Sequence, residues 1–419
     1  MFCRYPGIVL SVALMGPLEA QTVCTKPLRP EVKSLQTIVD DDFSRLPVID
    51  LGGNAQVIIS FDWLGDEQPW LDYTLVHCNA RWEPDDLTEM DCLEYNCLPQ
   101  HLDEVRPSFN TFLNYFHYEV TVPNAEVRPT VSGNYALMVS LQDEPDSLVA
   151  VACFMVSEQM AFVTGNVSGN TDIDFHAQHQ QLTMDVAWSE SKLPHLEPTT
   201  DLRIHVMQNR RLDNDRWLEH PSRVSKGQAT FEHDPSLIFE AGNNWRRFEF
   251  TDERYPGLGI DHVRYHAPIY YAYLNTDRLR TLDNYRYDQD QHGRFLVHAL
   301  HVDDEQTEAE YFRAMFTLDA PQRLDNQGIY LVGDMTAQVI DESTRMEYDL
   351  EQGLYYKELL LKEGAYNYQY LVPTGQGPLT GALTEGNHYE TPNEYEVMVY
   401  YRPFGSRYDR LIGTAILQQ

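Results

Sequence analysis

Gln208-Asn209-Arg210-Arg211-Leu212-Asp213-Asn214-Asp215-Arg216-Trp217 opens the stretch on which this chain's reading turns, and Phe239-Glu240-Ala241-Gly242-Asn243-Asn244-Trp245-Arg246-Arg247-Phe248-Glu249-Phe250 closes it. Just ahead, Leu202-Arg203-Ile204-His205-Val206 alternates apolar and polar residues, the pattern of a half-buried strand. Asn214, Pro221, Gly227, Pro235 and Gly242 punctuate the interval, so it reads as strand and loop and not as helix. Two arginine pairs stand out in a chain of formal charge −33. Their plainest use is pairing with nearby acids. The sharper reading makes Arg210, Arg211, Trp245, Arg246 and Arg247 a partner-binding loop, because Arg and Trp are over-represented at binding hot spots. Nothing in the stretch is arranged for catalysis.

Working outward, 419 residues are too many for one ordinary core and predict two or three domains. With 42% hydrophobic and 23% charged residues the chain is a folded protein and not a disordered one. Tyr (26) outnumbers Phe (17), which favours strands. The excess of 64 acidic over 31 basic residues disfavours nucleic acid and anionic membrane surfaces as partners. Solubility and repulsion of wrong partners are its simplest roles.

Residues 1–20 read as a cleaved export signal: Arg4, an apolar run from Gly7 to Leu18, then Leu18-Glu19-Ala20 ahead of Gln21. The run is too short to span a bilayer, and no later stretch is long and apolar enough to insert. Cys24, Cys78, Cys92, Cys97 and Cys153 follow, an odd number that cannot all pair within one chain. Cys92 and Cys97 are close enough in sequence to bridge. Cys153, inside the apolar run Val149–Phe154, reads as a buried thiol.

Residues 21–40 read as a loose leader. Strand signals follow at Val57–Phe61, Leu71–Leu75, Phe116–Val122, Tyr135–Leu141 and Ala150–Val156, with a short helix within Asp85–Tyr95. A second set runs from Ala161 to Leu318, including Leu182–Trp188, Leu202–Val206, Phe248–Thr251, Ile269–Leu274, Phe295–His301 and Glu310–Leu318. After a linker at residues 319–323 come Ile329–Gly333, Tyr355–Leu361, Tyr366–Val372 and Tyr395–Tyr401, with Lys362-Glu363-Gly364-Ala365 read as a hairpin turn. Tyr366, Tyr368 and Tyr370 share one face, expected to point into a core. The fold class is all-β: tandem immunoglobulin-like β-sandwiches, three in a row, over 41–158, 159–318 and 319–405, with a tail at 406–419.

No motif for chemistry survives. Asp288-x-Asp290-x-His292-Gly293 opens like a calcium loop, but the twelfth position is Ala299 and not the required Glu, so a turn explains it. His77-Cys78 with Cys92 and Cys97 matches no common zinc spacing, and His176 and His179 fall on opposite faces of a strand. There is no nucleophile elbow, zinc-protease helix or phosphate loop, so neither cofactor nor metal is expected.

The ordered motifs His77-Cys78-Asn79-Ala80-Arg81-Trp82, Tyr115-Phe116-His117-Tyr118, Ser132-Gly133-Asn134-Tyr135, Gln208-Asn209-Arg210-Arg211, Ala241-Gly242-Asn243-Asn244-Trp245-Arg246, Glu385-Gly386-Asn387 and Arg407-Tyr408-Asp409 resemble a family of exported Bacteroidetes proteins. That family is associated with the plug of the type IX secretion system, and the resemblance covers about Asp40 to Gly413. It implies a non-enzymatic plug in the periplasm, closing a giant outer-membrane β-barrel translocon while no cargo passes. The C-terminal part also resembles early-set sandwiches related to family 48 carbohydrate-binding modules. The residues are Gly328–Met335, Met346–Asp349, Gly353–Tyr356 and Glu363–Tyr370. Thr336 and Ala337 stand where those modules carry a Trp, so the fold is implied more than glycan binding. A glycan-binding exported protein is the alternative to the plug, and a hydrolase ranks third.

Overall fold

The computed structural model describes residues 23–94, 98–320, 324, 328–375 and 377–419. Among them, six sheets pair off around three hydrophobic cores. In the first, Lys26–Pro27, Glu144–Ser157, Gly133–Leu141, Leu71–Cys78 and Gln100–His101 lie side by side. They face the sheet Val32–Val39, Val57–Leu64, Tyr115–Val122 and Val105–Pro107. Inward residues alternate along these strands, as a period of two requires. Ile59, Phe61 and Tyr118 of one sheet meet Leu75, Tyr135 and Phe154 of the other. Phe61 and Tyr118 are directly opposed across the ladder, with ring centroids 5.3 Å apart.

The second core takes its strands from two distant parts of the chain. Leu202–Gln208 pairs with Glu394–Tyr401, which pairs in turn with Arg410–Gln418. This sheet covers Ala161–Ser168, His179–Trp188, Gln228–Phe231 and Arg223–Ser225. The third core is built from the sequence between. Arg246–Phe250, Gly364–Leu371, Phe295–Val297 and Tyr330–Val332 face Ile260–His266, Ile269–Leu274, Tyr311–Asp319, Leu354–Lys362 and Glu347–Asp349. Among the described residues no helix is long and apolar enough to cross a membrane.

The all-β sandwich reading holds, but the three units do not follow one another in a row. The third core interrupts the second, because Glu394–Tyr401 satisfies its backbone on Leu202–Gln208. The boundary expected at 319 falls inside a core: Phe316, Leu318 and Ala320 pack with Ile329 and Leu331. Residues 321–323 of the expected linker lie outside the described residues. The expected leader contains the strand Val32–Val39, paired with Val57–Leu64, and Val32 and Val39 are fully buried. The expected tail is the strand Arg410–Gln418, whose Leu411 and Ile412 are buried. The turn expected at Lys362–Ala365 does not close a hairpin. Leu354–Lys362 and Gly364–Leu371 belong to opposite sheets, and Glu363 is the corner between them. Gly364 is required there, since a Cβ would lie 2.2 Å from the Leu296 carbonyl oxygen. The tyrosine stripe is core: Tyr366, Tyr368 and Tyr370 are all buried. The expected helix shrinks to Glu89–Cys92, held by a reciprocal Thr88–Asp91 capping box.

Candidate functional site

The arginine pairs end largely inside the protein. Arg246 donates to both Glu385 carboxylate oxygens at 3.1 Å, to Asp277 Oδ1 at 2.7 Å and to the Arg278 carbonyl at 2.8 Å. Arg280 also donates to Glu385, at 2.8 Å. Burial alone would raise the Glu385 carboxyl, but Arg246 and Arg280 hold it below the ordinary glutamate range. Arg211 grips Asp213 through Nε and Nη2 and donates to the Leu379 carbonyl. Trp245 is buried, donates its backbone N–H to Asp290, and packs its ring under Gly293. Arg247, partly exposed, pairs with Asp288 at 2.9 Å. Of the five residues expected to bind a partner, Arg211, Trp245 and Arg246 are therefore closed off by internal contacts. Their motif spacing records ion pairs and packing, the plainer of the two expectations.

The acids of the calcium-like run serve its turn. Asp290 accepts from the backbone N–H groups of Trp245 and His292, and Gly293 sits at φ 88°. His77 lies edge-on to the Tyr135 and Tyr408 rings and meets Asp85 at 2.6 Å. Cys78 and Cys92 are buried free thiols, which burial pushes up to about 12; Cys97 lies outside the described residues.

Two junctions position the cores. At the first, Asp62 on Val57–Leu64 is enclosed by groups from both sides. His117 Nδ1 lies 2.7 Å from its Oδ1; Lys362 Nζ and the Tyr311 hydroxyl donate to Oδ2, each at 2.7 Å. Lys362 also donates to the Gln306 carbonyl at 2.6 Å and lies 4.3 Å from the Tyr115 ring centroid. Burial opposes the Asp62 charge, yet Lys362 and His117 bring its carboxyl below the ordinary range. Burial lowers the Lys362 ammonium against the pull of Asp62. A cross-core bond of this kind is invisible in sequence, where the two residues are 300 positions apart.

The motifs 77–82, 132–135 and 407–409 meet at a second contact, between the first and second cores. Asn134 donates to the Asn79 carbonyl and accepts from the Tyr400 hydroxyl. Asp409 accepts from the Ala80 N–H, and Arg410 forms a two-pronged pair with Glu158. Gly133 belongs here because a Cβ would stand 2.4 Å from His77 Nε2.

Where all three cores face one another they leave a chamber of about 960 Å³. Leu35, Phe43, Met207, Phe295, Met335 and Leu361 are among its apolar walls; Arg210, Arg294, His205 and Asp334 supply charge. Arg210 reaches across it to the Ser44 and Arg45 carbonyls. Its backbone N–H donates to Glu396 at 3.0 Å. Burial raises Glu396 to about 7 and also raises Asp334, with Arg210 opposing both. Arg294 pairs with Glu394, while Arg210 Nε, Arg294 Nε, His205 Nδ1 and Glu396 Oε1 are buried without a hydrogen-bond partner.

The outer face of the strands Ile260–His266, Ile269–Leu274 and Tyr311–Asp319 carries His262, Arg264, Tyr271, Tyr273, Arg313 and Met315. His262 stacks on Tyr273, and Arg264 and Arg313 lie over the Tyr273 and Tyr271 rings at 5.7 and 5.9 Å. Ile260–His266 is an edge strand. The alternation in Ile269–Leu274 already places Tyr271 and Tyr273 on one side, but only the packing of the sheet shows that this side faces outward.

The family model for the type 9 secretion system plug protein 1st domain matches residues 32–158. Residues 32–158 belong to this plug-domain family. The matched residues coincide with the first sandwich, from Val32 to the end of Glu144–Ser157. A solved structure, a hypothetical protein from Parabacteroides merdae ATCC 43184, is similar to the chain at 39% identity and TM-score 0.91. The match covers 94% of this chain and 99% of that one, so the likeness extends past the first sandwich to the whole arrangement. No curated protein matches. Membership ties the chain to type IX secretion and to the cell envelope.

Proposed function

We propose that this protein is a non-enzymatic periplasmic plug, which seats against the giant outer-membrane β-barrel translocon of type IX secretion and closes it while no cargo passes. The family match over residues 32–158 carries the reading. A plug needs a body that does not yield, and the buried Asp62–Lys362 and Arg246–Glu385 pairs tie strands far apart in sequence into one. A plug also needs a seat. The Tyr–Arg–Met face around Tyr271 has the composition of a binding hot spot. On this face Arg313 is paired with Glu358, while Arg264 is exposed and lies over the Tyr273 ring, a cation–aromatic pair suited to an acidic contact on a partner. The acidic remainder keeps the released plug soluble. Tyr366, Tyr368 and Tyr370 are buried and offer the glycan-binding alternative no stacking surface.

Mild-detergent affinity purification of the tagged protein from its own outer membrane, with mass spectrometry of the eluate, tests this. A very large β-barrel subunit in near-equal amount is expected. The double change R264E/Y271A should reduce its recovery about tenfold or more, the loss of one hot spot. Recovery of the wild-type protein alone would overturn the plug reading. Unchanged recovery of a folded variant would remove this face from the seat.

A further inference from the structure

The strand Lys26–Pro27 runs antiparallel to Glu144–Ser157, with Lys26 opposite Val151 and Pro27 opposite Ala150. The register is carried on by the Leu28 N–H, which donates to the Val149 carbonyl at 2.9 Å. Continued two residues the other way, it sets Cys24 against Cys153. The backbone ladder ends at Lys26 and the chain bends at Thr25, but it stays against the strand there: the Cys153 N–H donates to Thr25 Oγ1 at 2.9 Å, and the Val23 N–H then donates to the Trp82 carbonyl. Cys24 and Cys153 both line the central chamber. Opposed residues of an antiparallel pair have Cα atoms about 4.5–5.5 Å apart. A disulfide accepts about 4.4–6.8 Å. Both thiols are free here, so the structure is the dithiol form.

We propose that Cys24 and Cys153 are a redox pair that closes to a disulfide in the cell envelope, stapling the segment ahead of Val32 to the edge of the first sandwich. The compartment rests on the function proposed above; the pairing rests on register. Cys24 is half-buried and reached first, whereas Cys153 is buried. Burial, and then the neighbouring Cys24 and Cys78 sulphurs, raise the Cys153 thiol. The Cys24 thiolate attacks the disulfide of an oxidant, either a protein disulfide or glutathione disulfide, and one oxidant thiol leaves. The Cys153 thiol gives up its proton and attacks Cys24 Sγ, and the second oxidant thiol departs. Two protein thiols are oxidised and one external disulfide is reduced. The ring so formed spans nearly the whole first sandwich, which restrains its unfolded state most effectively.

The mature protein is incubated with glutathione disulfide, alkylated before and after reduction, digested, and mapped by mass spectrometry. A Cys24–Cys153 linked peptide is expected, absent in C24S and in C153S. Reduction should lower the Tm of the wild type by roughly 5 °C and leave C24S unmoved. Cys24 lies at the edge of the fold, so C24S tests the bond even where C153S fails to fold. Alkylation of both residues without reduction, or a Cys78–Cys153 link in place of the expected one, would overturn the pairing. A bond that forms with glutathione but is missing from protein taken directly from cells leaves the pairing intact and refutes the envelope compartment.

Discussion

Two of the places where the cores meet, the Asp62–Lys362 joint and the chamber, are opposites. At Asp62–Lys362 every charge has a protein partner and both side chains are buried. Around Arg210 and Arg294 the cores stand apart, and several polar atoms have none. Charges taken out of water are tolerable only when fully paired and hydrogen-bonded. The first junction meets that condition and acts as a rigid joint. The second meets it only in part: Arg294 pairs with Glu394, but Arg210 Nε and Arg294 Nε are buried without a partner and burial raises Glu396.

The comparison breaks most clearly at the dry joint. Lys362→Met should leave Asp62 buried beside only His117 and Tyr311, and destabilise the protein by about 3–5 kcal/mol in denaturant unfolding. The double change Asp62→Leu/Lys362→Met should recover most of that loss, because no charge is then stranded. If the double variant is no more stable than the single one, the joint is not held by charge pairing.

Behind Arg210, whose N–H Glu396 accepts, the matching test is pH. Glu396 titrates at about 7 in the folded protein against 4.5 when unfolded. Between those values the folded chain holds a proton that the unfolded chain has lost, so stability falls as pH rises from 4.5 through 7. Glu396→Gln removes this dependence. Its advantage over the wild type should be near nothing below pH 4.5 and about 3 kcal/mol above pH 7. An advantage that does not change with pH would show that Glu396 is charged throughout.

Gly293→Ala sharpens the contrast at the turn that precedes Arg294. The added Cβ meets the Trp245 ring at 2.8 Å with φ at 88°, and about 1–3 kcal/mol of stability should be lost. The smallest effect belongs to the outer face. Arg264→Ala should move stability by no more than about 0.5 kcal/mol, so any change in barrel recovery reports on docking and not on folding.

Much of the fold was legible because strands announce themselves locally. Leu71–Leu75, Tyr135–Leu141, Ile269–Leu274 and Tyr366–Val372 all read correctly from alternation or apolar runs. The burial of Tyr366, Tyr368 and Tyr370 followed from the same period. The candidate site was less legible. Arg246 reads alike in sequence whether it meets Glu385 or a partner, since only the fold decides which acid is within reach.

By itself, then, the sequence determined the class of element, the acidic surface and, through ordered motifs, the family. These depend on residues a few positions apart or on totals over the chain. Only the tertiary structure decided that Glu394–Tyr401 returns to Leu202–Gln208, that Val32–Val39 is core and not leader, and that Asp62 finds Lys362. Strand partners are chosen by which faces must be buried together, and that choice is made across hundreds of residues, where no local pattern reaches.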